Sequence, residues 1–504
     1  MNMENFLSIL IFSPLLGILV LAFVPKTKED TIKIIGFIAT LPAAVFSIVA
    51  FIQYLNGANL ALLAEKVNWV QFGRFEADYL FAVDYEVGVD EFSLIMVVLT
   101  SVVASLAAIA SIHIKKEWKG YFMLFLLLEV GMLGVFTAQN LILFFIFFEV
   151  TLVPMFFLIG KWGYFDKEKA AYSFLVYNGL GSAILLIVIM ILFARTGTSN
   201  IEALKFFMNN EGGELIAPIS EAAKFGMLVA LMVAFGVKLP IFPLHTWMLK
   251  VHVEAPPSIV MIHSGILLKI GAFGIIRFGM GIFPQQFKEI AVVLAVLGVI
   301  NLLYGAFLAF IQSDFKMVLA YSSISHMGIV LIGLAALNEA GIQGAIFQVV
   351  SHGLISALLF FLVGVMYERT HTTKIDNLGG LAKGMPLTAG FLLAGAMASL
   401  GLPGMSGFVS EFMAFMGLFK EMPVLAAVGA LGIIMTAVYL LRAVLGMTFG
   451  KAEREFAGIT DLKAVEMIPV FALMGLIVLI GVYPTLLSEP LTSTIETIMQ
   501  GIGG

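Results

Sequence analysis

The sequence contains no cysteine and few charged residues. Of its 504 residues none is Cys, and only 12% are Asp, Glu, Lys or Arg. The absence of Cys excludes a disulfide scaffold, a thiol enzyme and a Cys-ligated metal or iron–sulfur centre. Soluble domains carry about 25% charged residues, so this composition also argues against a soluble enzyme or a nucleic-acid-binding protein. A Walker loop for ATP binding is missing as well.

Long apolar runs, in contrast, are abundant. Apolar residues make up 61% of the chain, and the mean hydropathy is +1.04. Many runs reach the roughly 20 residues that cross a bilayer core, and they do not alternate apolar and polar residues as barrel strands do. We therefore predict an all-α integral membrane protein with about fourteen transmembrane helices. The predicted spans are 6–24, 32–55, 89–113, 120–138, 140–160, 171–193, 225–248, 258–278, 290–311, 316–336, 341–367, 386–420, 423–449 and 466–488.

The basic residues predict the orientation of these spans. With Lys238, Lys269 and Arg442 left out as intramembrane residues, seventeen Lys and Arg fall on one set of alternate loops and eight on the other. Basic loops face the cytoplasm, so both termini are predicted outside it, in a bacterial or archaeal plasma membrane. The hydrophilic segments 56–88 and 194–224 then lie outside, and neither reads as a folded catalytic domain.

A few ionisable residues interrupt the apolar spans. Such residues cost a few kcal/mol in lipid, about 2.5–3.5 on insertion scales, and are functional candidates for that reason. Pairs that only pin helices together are the alternative, but a set of both signs is harder to explain in that way. The candidate relay residues are Glu149, Lys238, Lys269, His326, His352 and Glu411. The candidate accessory residues are Glu129, His245 and His263.

Two spans contain helix-breaking residues beside these candidates. Pro240 and Pro243 follow Lys238, and Pro403, within a Gly-rich stretch, precedes Glu411. Proline removes a backbone donor and clashes with the preceding turn, and the freed carbonyls are tolerated only beside protein or a wet cavity. Paired broken helices are typical of transporters built from inverted repeats. We therefore predict that helices 7 and 12 are broken.

The spacing of the charged residues also indicates a repeat. Glu411 follows Lys238 by 173 positions, and Arg442 follows Lys269 by the same 173. The offset is five spans, an odd number, so the two units must run in opposite directions through the membrane. We predict N-terminal flanking helices 1–3 in residues 1–119, a first five-helix unit (helices 4–8) in 120–280, a second unit (helices 9–13) in 281–450, and helix 14 with the tail in 451–504.

Acids and amines at this depth suit a proton relay. Burial lowers the pKa of an amine and raises that of a carboxyl, so both can titrate near neutral pH. A Na⁺ channel or carrier would use rings of carboxylates and carbonyls, which mid-span Lys residues would oppose. A solute transporter would need a polar substrate pocket, and a haem site would need further ring-facing ligands. We therefore predict proton translocation without a cofactor or metal in this chain.

Several segments resemble the antiporter-like membrane subunits of respiratory complex I. The stretches FFIFFEVTLVPMFFLIGKWG, GVKLPIFPLHTW, GILLKIGAFGIIRF, LAYSSISHMG, QVVSHGLISALLF and LPGMSGFVSEFM occur in that family's order between residues 120 and 420. The chain most resembles the chain M branch of bacterial NADH:quinone oxidoreductase, the counterpart of mitochondrial subunit 4. Glu411 decides this, since the sister subunits usually carry Lys at that position. Two stretches depart from the family pattern. HTWMLKVHVEAP has Lys250 in a turn that is commonly acidic in the family, and PPSIVMIHSG adds His263. Mrp-type Na⁺/H⁺ antiporter subunits and membrane-bound hydrogenase relatives remain alternatives.

The resemblance implies a role for each matched residue. Glu149 would tune Lys238 in the cytoplasm-linked half channel, while Lys269, His326 and His352 would lead to Glu411, the outward proton donor. It implies that NADH, FMN, iron–sulfur clusters and quinone are bound by partner subunits, and that this chain has no redox centre. The implied partners are other complex I membrane subunits, with two sister antiporter-like subunits on either side, and the lipid bilayer, but no nucleic acid.

Overall fold

Helices dominate the computed structural model, which describes residues 5–75, 78–209, 216–451 and 458–503. In the first half of the chain the helices are α1 Phe6–Phe23, α2 Glu29–Ile38, α3 Leu41–Leu55, α4 Glu91–Ala110, α5 Trp118–Thr137, α6 Leu141–Trp162, α7 Lys167–Thr196, α8 Ile201–Asn209, α9 Glu221–Lys238 and α10 Thr246–Glu254. In the second half they are α11 Pro257–Ile262, α12 Leu268–Gly274, α13 Pro284–Ile311, α14 Phe315–Ala335, α15 Glu339–Thr370, α16 Pro386–Ser399, α17 Ser406–Glu421, α18 Pro423–Phe449, α19 Ala464–Val482 and α20 Thr485–Ile502. The prediction of an all-α membrane architecture is confirmed.

Twelve continuous helical stretches in the described residues are long and apolar enough to cross a membrane, against about fourteen predicted spans. The two missing spans are those predicted to be broken. Helix α9 ends at Lys238 and α10 begins at Thr246, whereas α16 ends at Ser399 and α17 begins at Ser406. Helices α16 and α17 have only 14 and 16 residues, so neither crosses a bilayer core of about 30 Å alone.

The first break is held by side chains from neighbouring helices. Asn301 of α13 accepts a hydrogen bond from the Phe242 amide (2.7 Å) and donates one to the Pro240 carbonyl (3.2 Å). Trp247 of α10 donates its indole N–H to the Val237 carbonyl at 3.1 Å. Because unpaired backbone groups are costly away from water, these bonds stabilise an open helix end inside the protein.

The span Pro257–Met280 is itself irregular. It contains two π-helical segments, His263–Leu267 and Ile275–Met280, on either side of α12. Segments of this kind are rare and frequently occur at functional sites. This span and α15 are the two most enclosed helices of the described chain, since every residue of their apolar windows is buried. Lys269 and His352 lie on these two helices.

The hydrophilic segment 56–88 contains a β-hairpin that the sequence analysis did not predict. Strands β1 Glu65–Phe75 and β2 Asp78–Val87 pair antiparallel, with a register irregularity between Asn68 and Val70. Lys66 of β1 lies 2.5 Å from the Glu86 carboxylate and 3.1 Å from that of Asp84. Helix α8 lies in the other hydrophilic segment, and both elements belong to the predicted outer side. The division into units 120–280 and 281–450 stays a prediction.

Ion pairs join the C-terminal helices to this core. Glu466 of α19 accepts two hydrogen bonds from the Arg369 guanidinium of α15, at 2.8 and 2.5 Å. The Glu466 side chain is fully buried, and its Oε2 also accepts a hydrogen bond from the Lys463 backbone amide at 2.8 Å. A bidentate pair of this kind fixes geometry as well as charge, so it holds α19 against α15.

Candidate functional site

The six candidate relay residues lie inside the helical bundle. Lys238, Lys269, His326, His352 and Glu411 are buried, and Glu149 is half-buried. They come from six different helices, which are α6, α9, α12, α14, α15 and α17. Long-range packing therefore has to bring them together, because no two of them are neighbours on one helix.

Four of the six form one connected line. The Lys269 ammonium lies 2.6 Å from His352 Nδ1 and also donates to the Ser264 carbonyl at 2.5 Å. The ring centroids of His352 and His326 are 5.4 Å apart. His326 Nδ1 in turn lies 3.7 Å from Glu411 Oε1. An amine, two imidazoles and a carboxyl thus follow one another at spacings that a small side-chain movement closes.

Polar side chains that the sequence analysis missed orient His326. Gln348 of α15 lies 3.1 Å from His326 Nδ1, and Ser399, the last residue of α16, lies 3.0 Å from Nε2. Ser410 of α17 donates to the Gln348 carbonyl at 2.5 Å, which leaves the Gln348 amide N–H free to donate to Nδ1. A proton arriving on Nδ1 would turn this nitrogen into a donor. Nδ1 would then release the Gln348 N–H and donate to the Glu411 carboxylate. The signal in the sequence was a Gln one helical turn before His352.

A small cavity adjoins the line. It has a volume of about 10 Å³ and is lined by His352 and by four serines, Ser322, Ser323, Ser356 and Ser399, together with apolar residues. A cavity of about 10–15 Å³ holds one water molecule when polar partners surround it. Serines from three helices therefore line the same cavity as His352.

Lys238 and Glu149 are not joined by an ion pair. The Lys238 ammonium has no hydrogen-bond partner in the described residues, nor does Oε1 of Glu149. The ammonium lies over the Phe148 ring at 4.6 Å from its centroid, with the Phe174 ring at 5.8 Å. Phe148 precedes Glu149 on α6, and the Glu149 carboxylate acts electrostatically on the Lys238 ammonium. The structure therefore leaves this amine held by ring faces, which attract a cation, and free to move.

The accessory candidates have different surroundings. Both carboxylate oxygens of Glu129, on α5, are buried and have no hydrogen-bond partner in the part of the chain that the structure describes. His245 follows the first break and lies 3.1 Å from the Tyr304 hydroxyl. His263 lies 3.0 Å from His252, a residue that sequence reasoning missed although it lies two helical turns after His245. Among the described residues, no three His, Asp or Glu side chains are grouped so as to hold a metal ion.

Known proteins resemble this chain along most of its length. Residues 138–436 match the family model described as NADH:quinone oxidoreductase/Mrp antiporter, transmembrane, and this stretch contains all six relay candidates. The chain is 39% identical to the NAD(P)H-quinone oxidoreductase chain 4 3 of Trichormus variabilis, over 97% of this chain and 90% of the relative. It is 35% identical to the NADH-quinone oxidoreductase subunit M of Rickettsia prowazekii, over 98% of both chains.

Solved structures resemble the fold along its whole length. A chain of respiratory complex I from Thermus thermophilus with bound NADH superposes with a TM-score of 0.86 at 27% identity, covering 99% of this chain and 100% of that one. A chain of the archaeal membrane-bound sulfane sulfur reductase gives 0.84 at 26% identity, over 97% and 77%. A chain of the Mrp complex from Dietzia gives 0.82 at 21% identity, over 99% and 100%, which is a likeness of fold alone.

Proposed function

The chain belongs to the NADH:quinone oxidoreductase/Mrp antiporter family of transmembrane proteins, and on this premise we propose a route for protons through it. It is a proton-translocating membrane-arm subunit of an NADH:quinone oxidoreductase, of the kind called subunit M or chain 4. The contact of Lys269, His352, His326 and Glu411 in one buried line carries the proposed route.

The proposed route begins at Lys238 and ends at Glu411. Lys238 takes up a proton on the cytoplasmic side, with the charge of Glu149 stabilising its protonated form. The proton then reaches Lys269 and passes through His352 and His326 to Glu411, which releases it outward. From Lys269 to Glu411 the two histidines can pass the proton on, because both imidazole nitrogens can donate and accept in turn.

Electrostatics make this line responsive to its neighbours. Two unit charges about 6 Å apart at an effective dielectric near 20 interact by about 2.8 kcal/mol. Moving one charge through 100 mV takes about 2.3 kcal/mol. Forming or breaking one such pair therefore changes the free energy of protonation by about as much as the work of moving one charge through 100 mV. A change of that size is enough to load or unload a proton against the membrane potential.

The remaining functions are proposed for other subunits of the same assembly. We expect NADH, FMN, iron–sulfur clusters and quinone to be bound by partner subunits, because this chain has no Cys to ligate a cluster. We also expect sister antiporter-like subunits on both sides and the termini outside the cytoplasm. Exposed apolar side chains such as Leu16, Phe23 and Val482 offer faces for lipid or for those neighbours.

The test is NADH-driven proton transfer in everted membrane vesicles that contain the intact complex. We expect NADH oxidation to acidify the vesicle interior, and we expect deletion of this chain to lower the number of protons moved per NADH. An uncoupler is the control for the pH signal. Sodium-dependent proton exchange that needs no NADH, with no change in protons per NADH on deletion, would instead establish a Na⁺/H⁺ antiporter.

Gly401 provides a test of the outward end of the route. Its φ is +80°, and a Cβ at this position would lie 2.5 Å from Glu411 Oε2. Gly404 has a φ of +91° but open space around it. Gly401→Ala and Gly404→Ala therefore share a left-handed backbone penalty of about 1–2 kcal/mol, but only Gly401→Ala displaces the carboxylate.

We expect Gly401→Ala to reduce proton pumping by about ten-fold, which corresponds to about 1.4 kcal/mol on the limiting step. Gly404→Ala should leave pumping close to the unsubstituted rate in the assembled complex. Equal rates for the two variants would show that the position of Glu411 does not limit transfer.

A further inference from the structure

Two histidines that the proposed route does not use form a hydrogen-bonded pair near Lys238 and Lys269. His252 Nε2 lies 3.0 Å from His263 Nδ1, and the two rings are nearly perpendicular with centroids 5.0 Å apart. Both side chains have no exposed surface. His252 is on α10, just after the first helix break, and His263 begins the π-helical segment His263–Leu267.

Each imidazole of this pair has one unused nitrogen. Nδ1 of His252 and Nε2 of His263 are buried and have no hydrogen-bond partner in the described residues. An unpartnered buried polar group costs about 1–3 kcal/mol, so two of them at the outer ends of one hydrogen bond are an expensive arrangement. If the pair only joined α10 to the next span, two side chains without unpartnered polar atoms could form the same hydrogen bond at lower cost.

The surroundings place the pair near two relay amines. The Phe174 ring lies beside both Lys238 and His263. Its centroid is 5.8 Å from the Lys238 ammonium and 6.2 Å from the centroid of the His263 ring. Lys238 and Lys269 both act electrostatically on His263, and Lys269 also acts on His252. Trp247 covers the His263 ring edge-on at 5.4 Å. Lys238 and Lys269 have no described contact with each other, and His263 lies within electrostatic range of both.

We propose that His252 and His263 form an imidazole bridge that carries protons from Lys238 to Lys269. This inference rests on the proposed function. It supplies the transfer from Lys238 to Lys269, which the line of Lys269, His352, His326 and Glu411 does not include. His263 receives from the Lys238 side, and His252 delivers toward Lys269. The aromatic rings of Phe174, Trp247 and Phe360 enclose the bridge and exclude other proton acceptors from it.

The transfer balances one proton in against one proton out. In the starting state His263 carries its proton on Nδ1 and donates to Nε2 of His252, which carries its own proton on Nδ1. A proton binds Nε2 of His263, the Nδ1 proton crosses to His252, and the Nδ1 proton of His252 leaves. Both rings end neutral in the opposite tautomer, and both must return to the first tautomer before the next transfer.

Amide substitutions separate a bridge from a structural pin. Gln at 252 places a nitrogen or oxygen near the original Nε2 position, and Asn at 263 does the same for Nδ1. His252→Gln, His263→Asn and the double variant therefore retain a hydrogen bond between α10 and the next span, but none can accept a proton on one side and release it on the other. His371→Asn, an exposed histidine whose left-handed backbone Asn tolerates, is the matched control.

The measurement is NADH-driven proton transfer, with its solvent deuterium isotope effect, in vesicles containing the intact complex. We expect each single variant to lose pumping by about ten-fold or more, the double variant to be no worse than a single one, and the isotope effect to rise. His371→Asn should match the unsubstituted complex. Lys238→Ala is run beside them as the test of the route itself.

Two results would overturn the bridge. Normal pumping in the amide variants, with Lys238→Ala inactive, would show that the pair only pins helices while the proposed route stands. A reduced rate with an unchanged isotope effect would show that the variants act on structure and not on proton transfer. If Lys238→Ala also pumps normally, the proposed route itself is wrong.

Discussion

Replacing Lys238 by Ala is expected to abolish proton pumping and the quinone reduction coupled to it. Lys238 is the candidate relay amine that lies at the end of a broken helix. Removing a group that takes up and releases the transferred proton costs typically 10²–10⁴-fold. We expect at least about a 100-fold loss of NADH-driven proton transfer, measured in vesicles as the rate of internal acidification.

The same substitution should leave the complex assembled. The Lys238 ammonium makes no hydrogen bond in the described structure and is held by two ring faces, which contribute about 0.5–2 kcal/mol. Its removal also relieves the cost of a buried charge. Co-purification of the chain with the flavin-containing part of the complex checks this expectation.

Lys224→Ala is the matched control, because Lys224 lies on the same helix α9 and pairs with Glu221 near the surface. A surface pair of this kind contributes about 0–1 kcal/mol, so pumping should be unaffected. Glu149→Gln should resemble Lys238→Ala in direction, since it removes the charge that acts on Lys238. An assembled Lys238→Ala complex that pumps normally would contradict the route.

Much of this site was predictable because lipid makes charged residues conspicuous. Lys269, His352 and Glu411 stand out in a sequence where an ionisable residue within an apolar run needs an explanation. Prolines beside two of the candidates likewise predicted where α9 and α16 end. These signals are local, since each needs only the residues of one span.

The contacts between spans could not be read in the same way. The 2.6 Å approach of Lys269 and His352 depends on how two enclosed helices pack, and the contact of the Lys238 ammonium with the Phe148 ring depends on how α9 packs against α6. His252 was missed because it lies in a short helix after a break, where the apolar run that marks a buried residue is absent. The hairpin was missed because its pairing joins two strands across a polar segment.

The distribution of partners along the route has a functional consequence. At the proposed loading end, Lys238 and Glu149 have atoms without a hydrogen-bond partner in the described residues, whereas near the proposed delivery end His326 and its neighbours form a continuous hydrogen-bond network through Gln348 and Ser399. A fully satisfied network is rigid, and a partly satisfied one is costly and free to rearrange. Loading is therefore expected at a mobile amine, and delivery through a fixed imidazole.

Substitution of Glu411 is expected to have the second large effect on proton pumping. The chemistry of this side chain can be changed by substitutions that keep a similar shape. Glu411→Gln keeps the shape of the side chain but cannot accept a proton from His326, so we expect at least about a 100-fold loss of pumping. Glu411→Lys restores a group that binds and releases a proton. Lys at this position would lie near the His326 ring and would repel its protonated form, so we expect a rate between those of the Gln variant and the unsubstituted protein, within about ten-fold of the latter.

The comparison of these two variants separates charge from proton exchange. If the negative charge of Glu411 were what matters, Lys, with the opposite charge, should be worse than neutral Gln. If proton exchange is what matters, Lys should be better than Gln, and only this order agrees with a terminal donor that loads from His326 at 3.7 Å. Proton transfer per NADH in vesicles with equal amounts of assembled complex gives the order directly, and total loss in both variants would assign Glu411 a role that no other ionisable group can take.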